Sequence, residues 1–359
     1  MTDQKTYAVL GLGNGGHAFA AYLSLKGQSV QAWDVDPQRI EQIKTRGSIT
    51  AHGDGLCGTA VIDLLTPDLG AAIRGADVIL VVIPAMYHAS LAEKMSAHLT
   101  KGQLVILNPG ATGGALEFRS ILRRHGGAEA TVGETSNMLF TCRSDAPGDV
   151  TVNAIKETMD FACVPASMTS WAQEQISFAL PQFSAVDNVL CTSLTNINAM
   201  MHPLPTVLNA ARCDAGSPFQ YYLEGITPAV ATLVEQLDNE RLEIAKAFGV
   251  TVQSLAQWYK DSYGRDSENL YEAVHGNNAY RGISGPTNLQ TRYLTEDVAT
   301  GLVPLSEFGR AVNVQTPLMD AVIELASSLI RVDFRKEGRT LEKLELAGLD
   351  VAEITSYVA

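Results

Sequence analysis

The chain has 359 residues, 46% of them apolar and 18% charged, which suits one large or two ordinary globular domains and excludes a disordered or fibrous chain. Its 39 acidic and 26 basic side chains leave a formal charge of −13, a field that repels nucleic acid and anionic membrane surfaces, so an anionic ligand must be held by a local cluster of donors. Five scattered cysteines, Cys57, Cys142, Cys163, Cys191 and Cys213, show no Cys-x-x-Cys spacing, so no disulfide framework and no metal site are expected, and a cytoplasmic setting fits.

Met1 to Tyr7 lacks the basic stretch and apolar core of a signal peptide, and the first strand is expected at Thr6 to Leu10. A glycine loop leads into a small-residue helix from about Gly15 to Lys26, with Gly27 as its left-handed cap, and Ser29 to Asp34 is the next strand. Pro37 opens a second helix. Gly53, Gly55 and Gly58 interrupt an alternating segment between Ile49 and Thr66, which reads as a hairpin-like insertion. Asp77 to Ile83 has the continuous apolar character of a central strand and is ended by Pro84; the longest apolar run, Val78 to Met86, is too short to span a bilayer. Gln103 to Leu107 repeats the strand pattern and stops at Asn108-Pro109-Gly110.

The alternation of strands and helices up to about Thr135 predicts a doubly wound, Rossmann-type α/β domain built on a parallel sheet. One more strand is expected at Val150 to Ile155, followed by long helical segments. The division is placed near residue 187, giving a dinucleotide-binding domain over 1–187 and an all-helical domain over 188–359. Leu190 to Met201 has helical spacing and breaks at His202, because Pro203 disfavours helical geometry at the residue before it; Leu204 to Arg212 can resume a helix. Thr227 before Pro228 caps a helix running to Phe248 with Gly249 as its stop, and Thr316 before Pro317 repeats the signal.

Gly11-Leu12-Gly13-Asn14-Gly15-Gly16 follows a strand, opens a helix and has Asp34 at the end of the next strand, the full context of a dinucleotide-binding loop. The glycines allow a tight turn, close approach to a pyrophosphate and close helix packing, while the helix amino terminus offers N–H donors. Asp34 can accept from the adenosine ribose hydroxyls and, with Asp36, would repel a 2′-phosphate, so NAD is favoured over NADP. Arg39 reads as part of a solvated helix face. Pro84 and Asn108 stand at carboxyl ends of strands, where they can line the nucleotide.

A nicotinamide carries hydride, so the protein must supply a proton donor or acceptor and a clamp for the substrate. Of seven histidines, His202 stands apart: it sits at a helix break, before Pro203, with Asn198 one turn earlier. Farther on, Arg292-Tyr293-Leu294-Thr295-Glu296-Asp297 places a guanidinium beside carboxylates. A plain helix start, capped by Thr295, explains the acids but not Arg292. A buried aspartate could hold a histidine's tautomer, and an arginine fork could bind a carboxylate.

These segments carry a resemblance. Val9 to Ala18, Leu107 to Phe118, Asn198 to Pro205, and Arg292-Tyr293 with Glu296 to Val298 and Gly301 to Leu305 are similar to the opine dehydrogenases, the NAD/octopine/nopaline dehydrogenase family, over essentially the whole chain. The resemblance implies an NAD-dependent enzyme that condenses the amino group of an L-amino acid with a 2-oxo acid such as pyruvate and reduces the imine, or runs the reverse oxidation, as a homodimer. It makes His202 the acid/base, Asp297 its partner and Arg292 the carboxylate ligand, with Asn198, Lys156 and Tyr280 facing the substrate in a cleft closed by the domains. The rivals are a dehydrogenase of a simple hydroxy acid and a nicotinamide-binding protein without turnover.

Overall fold

The computed structural model describes residues 4–127, 130–264 and 266–359. In chain order the strands are β1 (Thr6–Leu10), β2 (Ser29–Trp33), β3 (Ile49–His52), β4 (Gly58–Ala60), β5 (Leu64–Thr66), β6 (Val78–Val81), β7 (Leu104–Leu107), β8 (Thr131–Thr135), β9 (Phe140–Ala146), β10 (Asp149–Ile155), β11 (Met159–Val164) and β12 (Phe183–Ala185). The chain divides into two compact units, Met1–Ser193 with Tyr357–Ala359, and Leu194–Ser356.

The first unit is built on an eight-stranded sheet in the order β12-β11-β8-β7-β6-β1-β2-β5. Its centre consists of the continuously apolar runs, because a parallel strand covered on both faces has no wet side to carry polar residues. Every residue of β6 and β7 is buried. Strand order reverses direction at β1, which pairs in parallel with both β2 and β6. The loop after β1 therefore opens at the topological switch point, where such sheets bind ligands.

Two features depart from the expected pattern. The sheet is mixed, since β11 pairs antiparallel with β8, and it continues past Ile155 through β11 and β12. β11 is interrupted by Asp160 and β12 has only three residues, too few for a period to show. The hairpin expected between Ile49 and Thr66 is formed by β3 and β4, which pair antiparallel and join β10 and β9 in a separate four-stranded sheet, order β4-β3-β10-β9, while β5 pairs with β2 in the main sheet.

This second sheet explains the composition of the first helix, α1 (Asn14–Leu25). The helix packs on both sheets and every residue from Gly15 to Leu23 is buried, so it has no polar face. Phe19 and Tyr22 meet Phe140 of β9 edge-on, with ring centroids 4.7 and 5.5 Å apart.

The second unit is helical among its described residues, apart from one isolated bridge between Gln220 and Ser284. Its longest helix, Pro228–Ala247, starts as expected, with the Thr227 hydroxyl accepting from the Val230 N–H at 3.4 Å, and Gly249 turns the chain at φ 71°. The helix Pro317–Ile330 also starts at its proline, but the Thr316 hydroxyl does not cap it. Arg241, fully buried on the long helix, pairs with Asp238 at 2.6 Å and donates to the carbonyls of Leu194 (2.6 Å) and Gln253 (2.7 Å). A charge taken out of water needs all of these partners. No helix among the described residues is long and apolar enough to cross a membrane.

The expected Leu190 to Met201 helix is two pieces, Val189–Leu194 and Ile197–Met201, the second capped by Asn196, whose side chain accepts from the Ala199 N–H. His202 then joins that turn to the helix Pro203–Leu208. Its backbone stays in the helical region, at φ −108° and ψ −53°, rather than leaving it as a residue before proline usually does. The break is a widened φ, not a reversal.

Candidate active site

At the switch point, Gly11, Gly13 and Gly16 of the loop have different physical reasons. Gly11 takes φ 99°, and a Cβ there would meet Ile83 Cγ2 at 2.4 Å and the Val82 carbonyl oxygen at 2.8 Å. A Cβ on Gly16 would strike the Gly11 carbonyl oxygen at 1.6 Å. On Gly13 it would meet no described atom within 4 Å. Gly11 and Gly16 are thus required by packing, while Gly13 leaves open space beside the amino terminus of α1. Among the described residues no side chain caps that terminus and no acidic residue lies in its first turn, so its first-turn N–H donors are left without a protein partner.

The loop is braced from three sides. Asp34 Oδ2 accepts from the Leu12 N–H at 2.7 Å, and its Oδ1 from the Asp36 N–H at 2.9 Å. Arg39, expected on a solvated face, instead donates to Asp34 Oδ2 at 3.1 Å and to the Leu12 carbonyl at 3.4 Å. The five-residue spacing brings its long side chain back over the strand end. His17 Nε2 accepts from the Gly148 N–H and its Nδ1 donates to the Gly13 carbonyl, both at 3.0 Å. Burial lowers the pKa of this imidazole, in keeping with an accepting nitrogen. Asn14 Oδ1 accepts from the Ser144 N–H at 3.0 Å.

Pro84, half-buried, leads the single turn Ala85–Tyr87 at the end of the β6 segment. Asn108 is fully buried; its amide donates to Thr135 Oγ1 (2.6 Å) and the Asn137 carbonyl (3.3 Å), so the structure makes it an anchor of the loop after β7 rather than an exposed contact. The same loop is held by a residue the sequence did not single out. Glu134, fully buried on β8, accepts from the Ala115 N–H (2.7 Å), Thr192 Oγ1 (2.6 Å) and Ser193 Oγ (2.9 Å).

In the second unit, His202 Nδ1 lies 2.8 Å from Asp297 Oδ2. The two residues are 95 apart in sequence and meet because of Gly301. Its missing Cβ, which would stand 2.6 Å from the Ala199 Cβ, lets the π-helical turn Val298–Leu302 press against Ile197–Met201. Such wide turns interrupt regular helices at functional sites. Asp297 immediately precedes the turn and caps nothing with its side chain, leaving the carboxylate to the imidazole. Burial raises the carboxyl's pKa, and His202 opposes that shift by charge and by hydrogen bond.

The other ring nitrogen, Nε2, is 3.3 Å from the Tyr222 hydroxyl. Burial raises the pKa of that phenol, so it keeps its proton and can donate. With Asp297 accepting from Nδ1–H, Nε2 is then the acceptor, and the tautomer follows from its two neighbours. The His202 carbonyl accepts from Tyr221 Oη and Thr206 Oγ1, each at 2.7 Å. Tyr280 stacks on Tyr222 at 3.9 Å between centroids and shares a hydrogen bond with Tyr259 at 2.8 Å.

The turn Arg292–Thr295 is capped by Thr291, not Thr295, whose hydroxyl donates back to the Thr291 carbonyl at 3.1 Å. Arg292 Nε is paired with Glu296. Its terminal nitrogens have no partner among the described residues, which leaves an arginine fork open for a carboxylate. Asn198, one turn before His202, is exposed and its side chain is likewise unpartnered. The described residues hold no cluster of three histidine, cysteine or acidic groups suited to a metal ion.

Residues 185–330 match the alpha-helical domain of the NAD/NADP octopine/nopaline dehydrogenases, and residues 6–123 match the NAD-dependent glycerol-3-phosphate dehydrogenase N-terminus. An opine dehydrogenase of Arthrobacter sp. (strain 1C) is 67% identical over 100% of both chains. This chain is a member of the opine dehydrogenase family.

The protein ocs of Agrobacterium tumefaciens (strain Ach5) is 28% identical over 95% of each chain. The fold is that of octopine dehydrogenase solved with NADH and L-arginine, with a TM-score of 0.82 at 22% identity over 98% of both chains. As an opine dehydrogenase it is an NAD-dependent oxidoreductase acting on CH–NH donors. Lys156 lies at the end of β10 in the nucleotide-binding unit, with its N–H donating to the Leu139 carbonyl at 3.1 Å. Its amino group has no partner among the described residues, and burial lowers its pKa to about 8.

Proposed function

We propose that this opine dehydrogenase joins the amino group of an L-amino acid to a 2-oxo acid such as pyruvate, giving an N-(1-carboxyethyl)-amino acid, and that it catalyses the reverse oxidation. The observation that carries the reading is His202, held by Asp297 on Nδ1 and left with an accepting Nε2 beside a phenol. A single imidazole poised this way can take a proton in one step and return it in the next.

The division of labour runs along the chain, with the dinucleotide assigned to residues 1–187 and substrate chemistry to 188–359. The cofactor fits the first: the open space at Gly13, the uncapped terminus of α1 and Asp34 match a pyrophosphate and an adenosine ribose. When bound, the nicotinamide supplies or accepts the hydride. Gly11, Gly13, Asn14, Gly15, Gly16 and Asp34 hold the dinucleotide, with Pro84 and Asn108 shaping the loops beside it.

The chain's own residues do the rest. His202 Nε2 takes a proton from the neutral amine as its nitrogen bonds to the carbonyl carbon of the oxo acid and passes it to the carbonyl oxygen, giving a neutral carbinolamine. It then takes the remaining N–H proton and delivers it to the hydroxyl as the C–O bond breaks, releasing water and leaving the imine. Asp297 stabilises the imidazolium between these steps. Arg292 binds a substrate carboxylate through its terminal nitrogens, so that one face of the imine is presented. Asn198, Tyr280 and Lys156 complete the substrate contacts. The family likeness also carries a homodimer, which light scattering checks, and five free thiols support a cytoplasmic setting.

The test is steady-state kinetics with NADH, pyruvate and a panel of L-amino acids. Wild type oxidises NADH only when amine and oxo acid are both present; His202→Ala lowers kcat by about 10²–10⁴ with NADH affinity nearly unchanged. Turnover with pyruvate alone would identify a hydroxy-acid dehydrogenase instead, and full turnover by His202→Ala would remove the histidine from the mechanism.

A further inference from the structure

We infer that Tyr293 is a positioning residue whose ring fixes the plane of the His202 imidazole, an inference that rests on the acid/base role proposed for His202. The two rings stack with centroids 4.1 Å apart and planes inclined by 17°. A hydrogen bond from Nδ1 to Asp297 sets one direction in the imidazole but leaves the ring free to swing about that line. A flat contact over the face removes this swing. With Nδ1 pinned and the plane fixed, Nε2 is left one direction in which to exchange a proton, and small errors in such directions are costly to rate.

The surroundings fit a clamp. Tyr221 lies against Tyr293, with centroids 4.8 Å apart at 51°, and presents its edge to His202 at 6.3 Å and 67°. The same Tyr221 hydroxyl holds the His202 carbonyl at 2.7 Å, so the stack is fixed to the histidine's backbone as well as to its side chain. The Tyr293 hydroxyl has no partner among the described residues, which assigns the work to the ring face rather than to the oxygen. Tyr293 also follows Arg292 directly on the turn Arg292–Thr295, so one turn carries both the carboxylate ligand and the plate under the imidazole.

The ring face predicts an unusual pattern of rescue. Tyr293→Phe keeps kcat within about twofold of wild type, whereas Tyr293→Leu lowers kcat about 10- to 100-fold while KM for NADH moves less than about twofold. Proton NMR of histidine-labelled enzyme gives a readout that needs no turnover. The His202 ring protons, assigned by their loss in His202→Asn, are shifted upfield by the ring current in wild type and Tyr293→Phe. Unshifted ring protons in both folded proteins overturn the stack, whatever becomes of the leucine variant. Unchanged kcat in a folded Tyr293→Leu, or equal losses in Phe and Leu variants, overturns the positioning role. Wild-type turnover by His202→Asn would defeat the acid/base reading instead and leave the NMR result to decide the stack.

Discussion

Lys156 shows how burial alone can tune one residue. Its amino group has no acidic partner among the described residues, and desolvation by burial brings the pKa to about 8. The sign follows: the ammonium is present below that pH and is lost as the pH rises through it. If Lys156 meets a substrate carboxylate, KM for the oxo acid stays flat below pH 8 and climbs above it. Lys156→Met should then show a raised KM with no such climb. Measuring KM for pyruvate from pH 6.5 to 9.5 in both proteins checks this, and an identical climb in the methionine variant assigns the titration elsewhere. Asp297 presents the opposite case, in which burial raises the carboxyl's pKa and the neighbouring His202 opposes that shift by charge and by hydrogen bond.

Elements transmit these requirements unequally. The loop entering α1 predicts two different alanine phenotypes. Gly13→Ala places a methyl group in open space at a backbone of φ −77°, so stability to urea changes by no more than about 0.5 kcal/mol, while NADH affinity falls about tenfold or more. Gly16→Ala drives a methyl into the Gly11 carbonyl and costs about 1–3 kcal/mol, with binding lost as the loop shifts. NADH fluorescence titration beside urea unfolding separates the two, and full NADH affinity in Gly13→Ala would move the pyrophosphate away from this cradle. The same elements mark what the sequence can tell. β1, β6, β7 and α1 were legible because burial on both faces writes continuous apolar runs or small residues. His202 was legible because a proline marks its break. Tyr222, Tyr221 and Glu134 were not, since each acts on partners 19 to 59 residues away and reads locally as core. Thr295 was misplaced because a four-residue turn is too short to show a period, leaving the cap one turn away at Thr291.

At the scale of the whole molecule, the formal charge of −13 works against both classes of ligand, a dinucleotide and a carboxylate substrate. Local donors oppose it at short range: the amino terminus of α1, the terminal nitrogens of Arg292 and the ammonium of Lys156, each without a side-chain partner among the described residues. Salt distinguishes the two ranges. Screening lengths fall from about 30 Å at 0.01 M to about 8 Å at 0.15 M, which removes the repulsion of the distant surface while sparing contacts made at a few ångströms. The association rate of NADH, measured by stopped-flow fluorescence, should therefore rise a few-fold across that interval, with the dissociation rate changing less. A fall in the association rate would mean that the donors around Gly13 project a positive field beyond the surface and that the net charge of the chain does not govern approach to this site.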